Sequence, residues 1–105
     1  MNEEVIEDVI RAGNYLLIDV REPMELDMEG EIDGATNIPL GEIQAHEDEI
    51  KNFDGNIIFF CRSGGRAGKA VEFFTEEGLT NVFNGGGFEA LQILLDENKQ
   101  EGLED

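Results

Sequence analysis

An α/β domain with a mainly parallel central sheet, flanked by helices on both faces, is what this 105-residue chain predicts. Three observations carry that prediction. Residues 15–20 (YLLIDV) and 56–60 (NIIFF) are nearly unbroken apolar runs of strand length, the pattern of strands covered on both faces. Segments with apolar residues at helical spacing alternate with these runs. Glycine-rich or Asp-Gly punctuation separates the two kinds of segment.

The elements follow in order. Val5, Ile6, Val9 and Ile10 fall on one stripe, which predicts an amphipathic helix over 3–12, closed near Gly13 and Asn14. The strand over 15–20 is broken by Arg21-Glu22-Pro23, and Pro23 suits the start of a short helix carrying Met24 to Met28. Residues 30–40 read as a loop around one very short strand, 36–38. Ile43 and Ile50, seven apart, place 42–52 in a helix, and Asp54-Gly55 in a turn. The second buried strand, 56–60, runs into a glycine loop. Beyond it Ala67, Ala70, Val71 and Phe74 mark a helix with Gly78 as its C-terminal cap. A strand over 80–83, a loop at Gly85-Gly86-Gly87 and a last helix over 88–95 complete the pattern, and the acidic segment 96–105 is expected to fray. No repeat, low-complexity tract or long linker divides the chain, so 1–105 reads as a single domain.

Composition narrows the function classes. Forty per cent hydrophobic residues, with seven Phe, suffice for one modest core. No apolar stretch approaches the roughly 20 residues that span a bilayer. The start, Met1-Asn2-Glu3-Glu4, is acidic where a secretory leader is basic, so a cytoplasmic protein is expected. One cysteine leaves no internal disulfide, one histidine leaves no metal-ligand cluster, and no cofactor is expected. Seven Lys and Arg stand against 25 Asp and Glu, a net charge of −18. That balance argues against nucleic acid and anionic membranes, whose phosphates need clustered cations. It suits a soluble monomer, a basic protein partner, or life at high salt.

The chemistry concentrates at Cys61. The run Cys61-Arg62-Ser63-Gly64-Gly65-Arg66-Ala67-Gly68-Lys69 holds three of the seven cations, and no acidic residue lies between Cys61 and Val71. A thiol is a nucleophile only as thiolate, and helix N-termini and nearby cations lower its free pKa of about 8.5. Gly64 and Gly65 let backbone N–H groups converge on one point, a nest that binds anions. The expectation is a preformed thiolate acting on an anionic substrate or intermediate, without a general base. A buried, inert cysteine has no need of the sequence R-S-G-G-R behind it.

Rival motifs fit less well. A phosphate-binding P-loop fails because Ser63 stands where its first Gly belongs and Ala70 where its Ser or Thr belongs. A Cys–His pair would need His46, which sits in the polar stretch Gln44-Ala45-His46-Glu47-Asp48 and reads as a solvated surface residue. Tyrosine phosphatases close a cysteine loop with Arg after five intervening residues, whereas four separate Cys61 from Arg66. The shorter loop makes a smaller cup, better sized to one sulfur atom than to a phosphoryl group.

The chain resembles the rhodanese family of sulfurtransferases over nearly its whole length. Leu17-Ile18-Asp19-Val20-Arg21-Glu22 is similar to the family's first signature. Glu25, the stretch from Gly30 to Ala35 and then Asn37-Ile38-Pro39-Leu40 are similar to its G-H-I-x-G-A-x-N-I-P segment, with Glu31 in place of His. Cys61 to Ala67 resembles the six-residue active-site loop, and Val82-Phe83-Asn84-Gly85-Gly86 the closing strand and glycine turn; Phe88 lies where a Trp is common. The resemblance implies a rhodanese-like domain and a ping-pong transfer. Cys61 takes the outer sulfur of thiosulfate as a persulfide and passes it to cyanide or a cellular thiol. The N–H groups of residues 62–66 hold the terminal sulfur. Substrate binding then falls to Arg62, Ser63, Gly64, Gly65 and Arg66. Arg62 faces solvent to attract thiosulfate, and Arg66 holds the loop backbone or an acidic partner. Asp19 and Arg21 brace the loop through ion pairs. Two alternatives stay open: a persulfide carrier that docks on a basic partner protein, and a small phosphatase or arsenate reductase on the same fold.

Overall fold

A computed structural model describes residues 3–104; residues 1, 2 and 105, the ends of the expected domain and of its acidic tail, lie outside the described residues. Four strands form one parallel sheet in the order β2-β1-β3-β4, with β1 at Tyr15–Asp19, β2 at Thr36–Asn37, β3 at Asn56–Cys61 and β4 at Val82–Gly87. The helices are α1 (Glu3–Ala12), α2 (Pro23–Glu29), α3 (Glu47–Lys51), α4 (Gly65–Glu76) and α5 (Phe88–Glu104), with a 3-10 helix over Leu40–His46. The predicted α/β architecture is the observed one.

The period-2 alternation of β3 sorts the core into two halves. Ile57, Phe59 and Cys61 face one side, where they pack with Ala67, Ala70 and Phe74 of α4 and with Ile43 and Ile50. Ile58 and Phe60 face the other, against Ile6, Val9 and Ile10 of α1 and Leu91 and Leu95 of α5. The Phe59 and Phe74 rings stack at 5.5 Å and pin α4 to β3. This alternation decides where the thiol goes: Cys61 shares the face of Ile57 and Phe59, so its sulfur lies on the side that α4 covers.

Helix ends follow local chemistry. Pro23 opens α2, and Glu22 and Glu25 close a reciprocal capping box around it. Helix α4 ends in a Schellman motif, with Gly78 at φ +98°, the Gly78 N–H on the Thr75 carbonyl and the Leu79 N–H on the Phe74 carbonyl.

Beyond one-residue trims at β1 and β2, four departures from the sequence expectation have a physical reason. The helix expected over 42–52 is split into the 3-10 segment and α3. Its start is tied to the sheet by the Leu40 N–H on the Val20 carbonyl, and the tighter winding turns Ile43 inward while α3 buries Ile50. β3 continues one residue further, through Cys61. The strand expected over 80–83 lies instead at Val82–Gly87, so the three glycines are strand and not loop. Close approach explains their composition. A Cβ on Gly85 would sit 2.6 Å from the Ile58 side chain, and one on Gly87 would sit 2.6 Å from the Arg62 carbonyl oxygen. Finally, α5 runs on to Glu104 where the segment from 96 was expected to fray. Residues 96–101 contain no Pro or Gly to stop it, and Gly102 falls only in its last turn. Among the described residues no helix is long and apolar enough to cross a membrane.

Candidate active site

Cys61 ends β3, and three residues later the chain enters α4. Gly64 is the N-cap of that helix, in the left-handed conformation at φ 97°, ψ −15°, and offers no side chain to cap it. The N–H groups of a helix's first turn have no intrahelical acceptor. Here the Cys61 sulfur takes that place. The Gly64 N–H lies 3.0 Å from Sγ. Burial pushes the Cys61 thiol up, but hydrogen bonds from the backbone N–H groups of Ala67, Ser63, Gly64 and Arg66 together outweigh it. The thiol is therefore held below its ordinary pKa. The Ala67 N–H, one residue beyond the expected 62–66, belongs to this cup.

The backbone on the far side of the Gly64 Cα is held as well. The Gly64 carbonyl oxygen accepts from the Gly68 N–H at 2.9 Å and from Asn84 Nδ2 at 3.0 Å. Asn84 in turn accepts from the Gly86 N–H at 2.8 Å. The glycine run of β4 and the cysteine loop are thus locked together by one amide side chain. A Cβ on Gly64 would lie 3.4 Å from the Gly86 Cα, in addition to the strain of a positive φ.

Both loop arginines are paired with carboxylates of α2. Arg66 makes a two-pronged bond to Glu25, Nη1 to Oε2 at 2.7 Å and Nη2 to Oε1 at 2.8 Å. The Arg66 guanidinium and the Glu22 N–H hold the Glu25 carboxyl down at about 2, and Glu25 raises Arg66 in return. Arg62, with a side chain 67% exposed, places Nη1 3.3 Å from Glu29 Oε2. Ser63 and Gly65 are exposed beside it, and the Cys61 residue itself is only 1% exposed.

Asp19 and Arg21 form a buried ion pair at the end of β1, at 1% and 0% exposure. Arg21 Nε lies 3.0 and 3.1 Å from the two Asp19 oxygens and Nη2 lies 2.7 Å from Oδ2, while Nη2 also donates to the Gly30 carbonyl at 2.9 Å. The Asp19 hydrogen bond raises Arg21 against the opposing effect of burial. The guanidinium rests 4.0 Å from the centre of the Phe88 ring, so α5 begins with a cation–π contact. The pair therefore braces the turn after α2 directly. It meets the cysteine loop through the carboxylates of α2, most directly Glu29, whose Oε1 is 3.7 Å from Arg21 Nη1. His46 pairs with Glu49 at 3.2 Å on the 3-10 segment. Among the described residues no group of His, Cys, Asp and Glu is placed to hold a metal.

Comparison with known proteins decides what this arrangement is. Residues 2–93 match the family described as the rhodanese-like domain. The chain belongs to the rhodanese family of sulfurtransferases. It is 34% identical over 77 residues to the thiosulfate sulfurtransferase PspE of Escherichia coli, covering 72% of this chain and 73% of that one. It is 39% identical over 85 residues to the uncharacterized protein YqhL of Bacillus subtilis; the match covers 78% of this chain and spans 66% of that protein's length, just under two thirds. Among solved structures it is similar to a rhodanese with anions from E. coli, at a TM-score of 0.63 and 33% identity, covering 71% of this chain and 88% of that one.

In this member of the rhodanese family the cysteine loop is legible in the sequence, but the residues that hold it are not. Asn84 and Glu25 stand in the sequence only as parts of family signatures, and Glu29 lies one residue beyond the short helix expected to carry Met24 to Met28. A signal for Glu25 existed: Glu22 and Glu25 flank Pro23 at capping-box spacing. Glu25 and Glu29 are also four apart on α2, so that one rhodanese helix presents two carboxylates to two arginines.

Proposed function

We propose that Cys61 is the nucleophile of a sulfur transfer and carries one sulfane sulfur as a persulfide. The observation that carries this reading is the Gly64 N–H 3.0 Å from the cysteine sulfur at the start of α4, in a backbone setting that lowers the thiol's pKa despite its burial. Such a setting stabilises a negative sulfur without a neighbouring base. Thiosulfate is the donor of this reading. The thiolate attacks its sulfane sulfur, a new S–S bond forms as the old one breaks, and sulfite leaves with the bonding electron pair. The persulfide keeps the single negative charge on its terminal sulfur. Cyanide or a cellular thiolate then takes that sulfur, as thiocyanate or a new persulfide, and Cys61 returns to thiolate.

In this mechanism Arg62, Ser63, Gly64, Gly65 and Arg66 form the seat of the donor. A cysteine residue only 1% exposed favours a donor that presents a slim, terminal sulfur atom. The name of PspE as a thiosulfate sulfurtransferase and the anions of the E. coli rhodanese structure support the reading. Intact mass after thiosulfate treatment, followed by turnover with cyanide, tests it. The expected result is a gain of one sulfur that cyanide removes; no gain, or a gain that survives Cys61→Ser, defeats it. A second reading, a persulfide carrier that docks on a basic protein, is favoured by the charge of −18. Full loading with slow turnover to small acceptors would select it.

A further inference from the structure

We propose that Glu29 sets the charge of the donor that the Cys61 loop accepts. By neutralising Arg62, it turns the site toward sulfane sulfur on organic carriers of low charge and away from dianions. This rests on the sulfur-transfer reading above and names its substrate class.

Arg62 is the loop cation that meets solvent beside the nucleophile, and Glu29 stands 3.3 Å from it. Arg66 is committed to Glu25 through two bonds. The two guanidiniums and two carboxylates sum to zero charge. The field that attracts anions into the loop is then left to backbone N–H groups and to Lys69, four residues into α4, within a protein of net charge −18. Surface ion pairs usually wander, but this carboxylate is held from behind. Its other oxygen faces Nη1 of the buried Arg21 at 3.7 Å, and that nitrogen has no hydrogen-bond partner. A fully buried cation with an unspent donor keeps Glu29 over the loop. Helix α2 supplies the register, since Glu25 and Glu29, four apart, place both carboxylates toward the loop.

The consequence scales with substrate charge. A dianion loses twice the Coulomb attraction that a monoanion loses when Arg62 is neutralised, so its rate penalty is the square of the monoanion's. Thiosulfate is thus a working but handicapped donor, and an organic persulfide is a better one.

Two donors that differ by one charge test this. Methanethiosulfonate carries the same sulfane sulfur as thiosulfate with a methyl group in place of one oxyanion, and releases methanesulfinate instead of sulfite. The second-order rate constant for loading sulfur onto Cys61 is measured by mass at low ionic strength with each donor. Glu29→Gln keeps the shape of the side chain and an oxygen acceptor for Arg21. It should raise loading about threefold with methanethiosulfonate and about tenfold with thiosulfate, and both gains should fade with added salt. Asp27→Asn, an exposed residue of the same helix, makes the same change in net charge and should shift the donor ratio far less. Equal gains for the two donors in Glu29→Gln, or an equal shift of their ratio in Asp27→Asn, overturns the assignment to Glu29. Absence of sulfur on wild-type Cys61 with either donor overturns the sulfur-transfer reading and this inference with it, a result visible before any variant is made.

Discussion

Arg66 and Glu25, 41 residues apart in sequence, are joined by two hydrogen bonds of 2.7 and 2.8 Å that tie the first turn of α4 to α2. The same Glu25 carboxylate accepts the Glu22 N–H at 2.8 Å. One side chain therefore caps its own helix and fixes the helix that carries the thiolate cup.

This pair makes stability depend on pH in a defined window. The Glu25 carboxyl is held at about 2 against an ordinary 4.5, so its contribution is fully present above 4.5 and is lost as pH falls toward 2. The partial exposure of both groups, 35% and 26%, limits it to about 1 kcal/mol. Denaturant unfolding of wild type and Glu25→Gln should differ by that amount at pH 7, and the gap should narrow steadily as pH falls from 4.5 through 2. A gap that stays constant across that range would show that the pair's charge is not its source.

Cys61 should react as a thiolate at lower pH than a free cysteine. The net effect of burial and four backbone donors is downward, so the alkylation rate with iodoacetamide should reach half its maximum below the free value of about 8.5. A midpoint at or above that value would mean that burial outweighs the cup.

Asn84 should matter to the cup although it never touches the sulfur. Asn84→Asp removes the donor to the Gly64 carbonyl and sets a carboxylate against that oxygen. The expected cost is about 1–3 kcal/mol in stability, with a rise in the Cys61 midpoint as the loop backbone at Gly64 loses its anchor to β4. Gly64→Ala should raise the midpoint as well, because φ +97° strains any side chain there. Unchanged midpoints in both variants would remove Asn84 from the positioning of the loop.

The buried Asp19–Arg21 pair predicts an asymmetry between single and double variants. Arg21→Met leaves an aspartate of 1% exposure without its cation and should cost about 3–5 kcal/mol. Adding Asp19→Leu should recover much of that loss, because two well-packed apolar groups replace two buried charges. Urea midpoints for the two proteins decide it; a double variant weaker than the single would contradict the argument.

Much of this was legible before any coordinates. The apolar runs at 15–20 and 56–60 announced buried parallel strands, because only a strand covered on both faces has no polar side. The thiol, the two glycines and the helix start were legible for the same local reason: strand period, glycine freedom and helix period are properties of neighbouring residues. The glycines at 85–87 were misread as loop because nothing nearby reveals that the Ile58 side chain and the Arg62 carbonyl will press against them. The missing piece of the electrostatics had the same origin. Within its own segment the cysteine loop carries three cations and no acid, but Glu25 and Glu29 come to it from another helix.

The sequence by itself determined the α/β class, the two central strands, the family and the place of the cysteine loop, since each is written in short-range periodicity and spacing. Only the tertiary structure decided which groups face the sulfur and what charge surrounds it. Backbone donors converge on Cys61 because α4 begins beneath it, and both loop arginines are neutralised because α2 lies alongside. Those contacts join residues up to 41 positions apart, and no local pattern encodes a pairing at that distance.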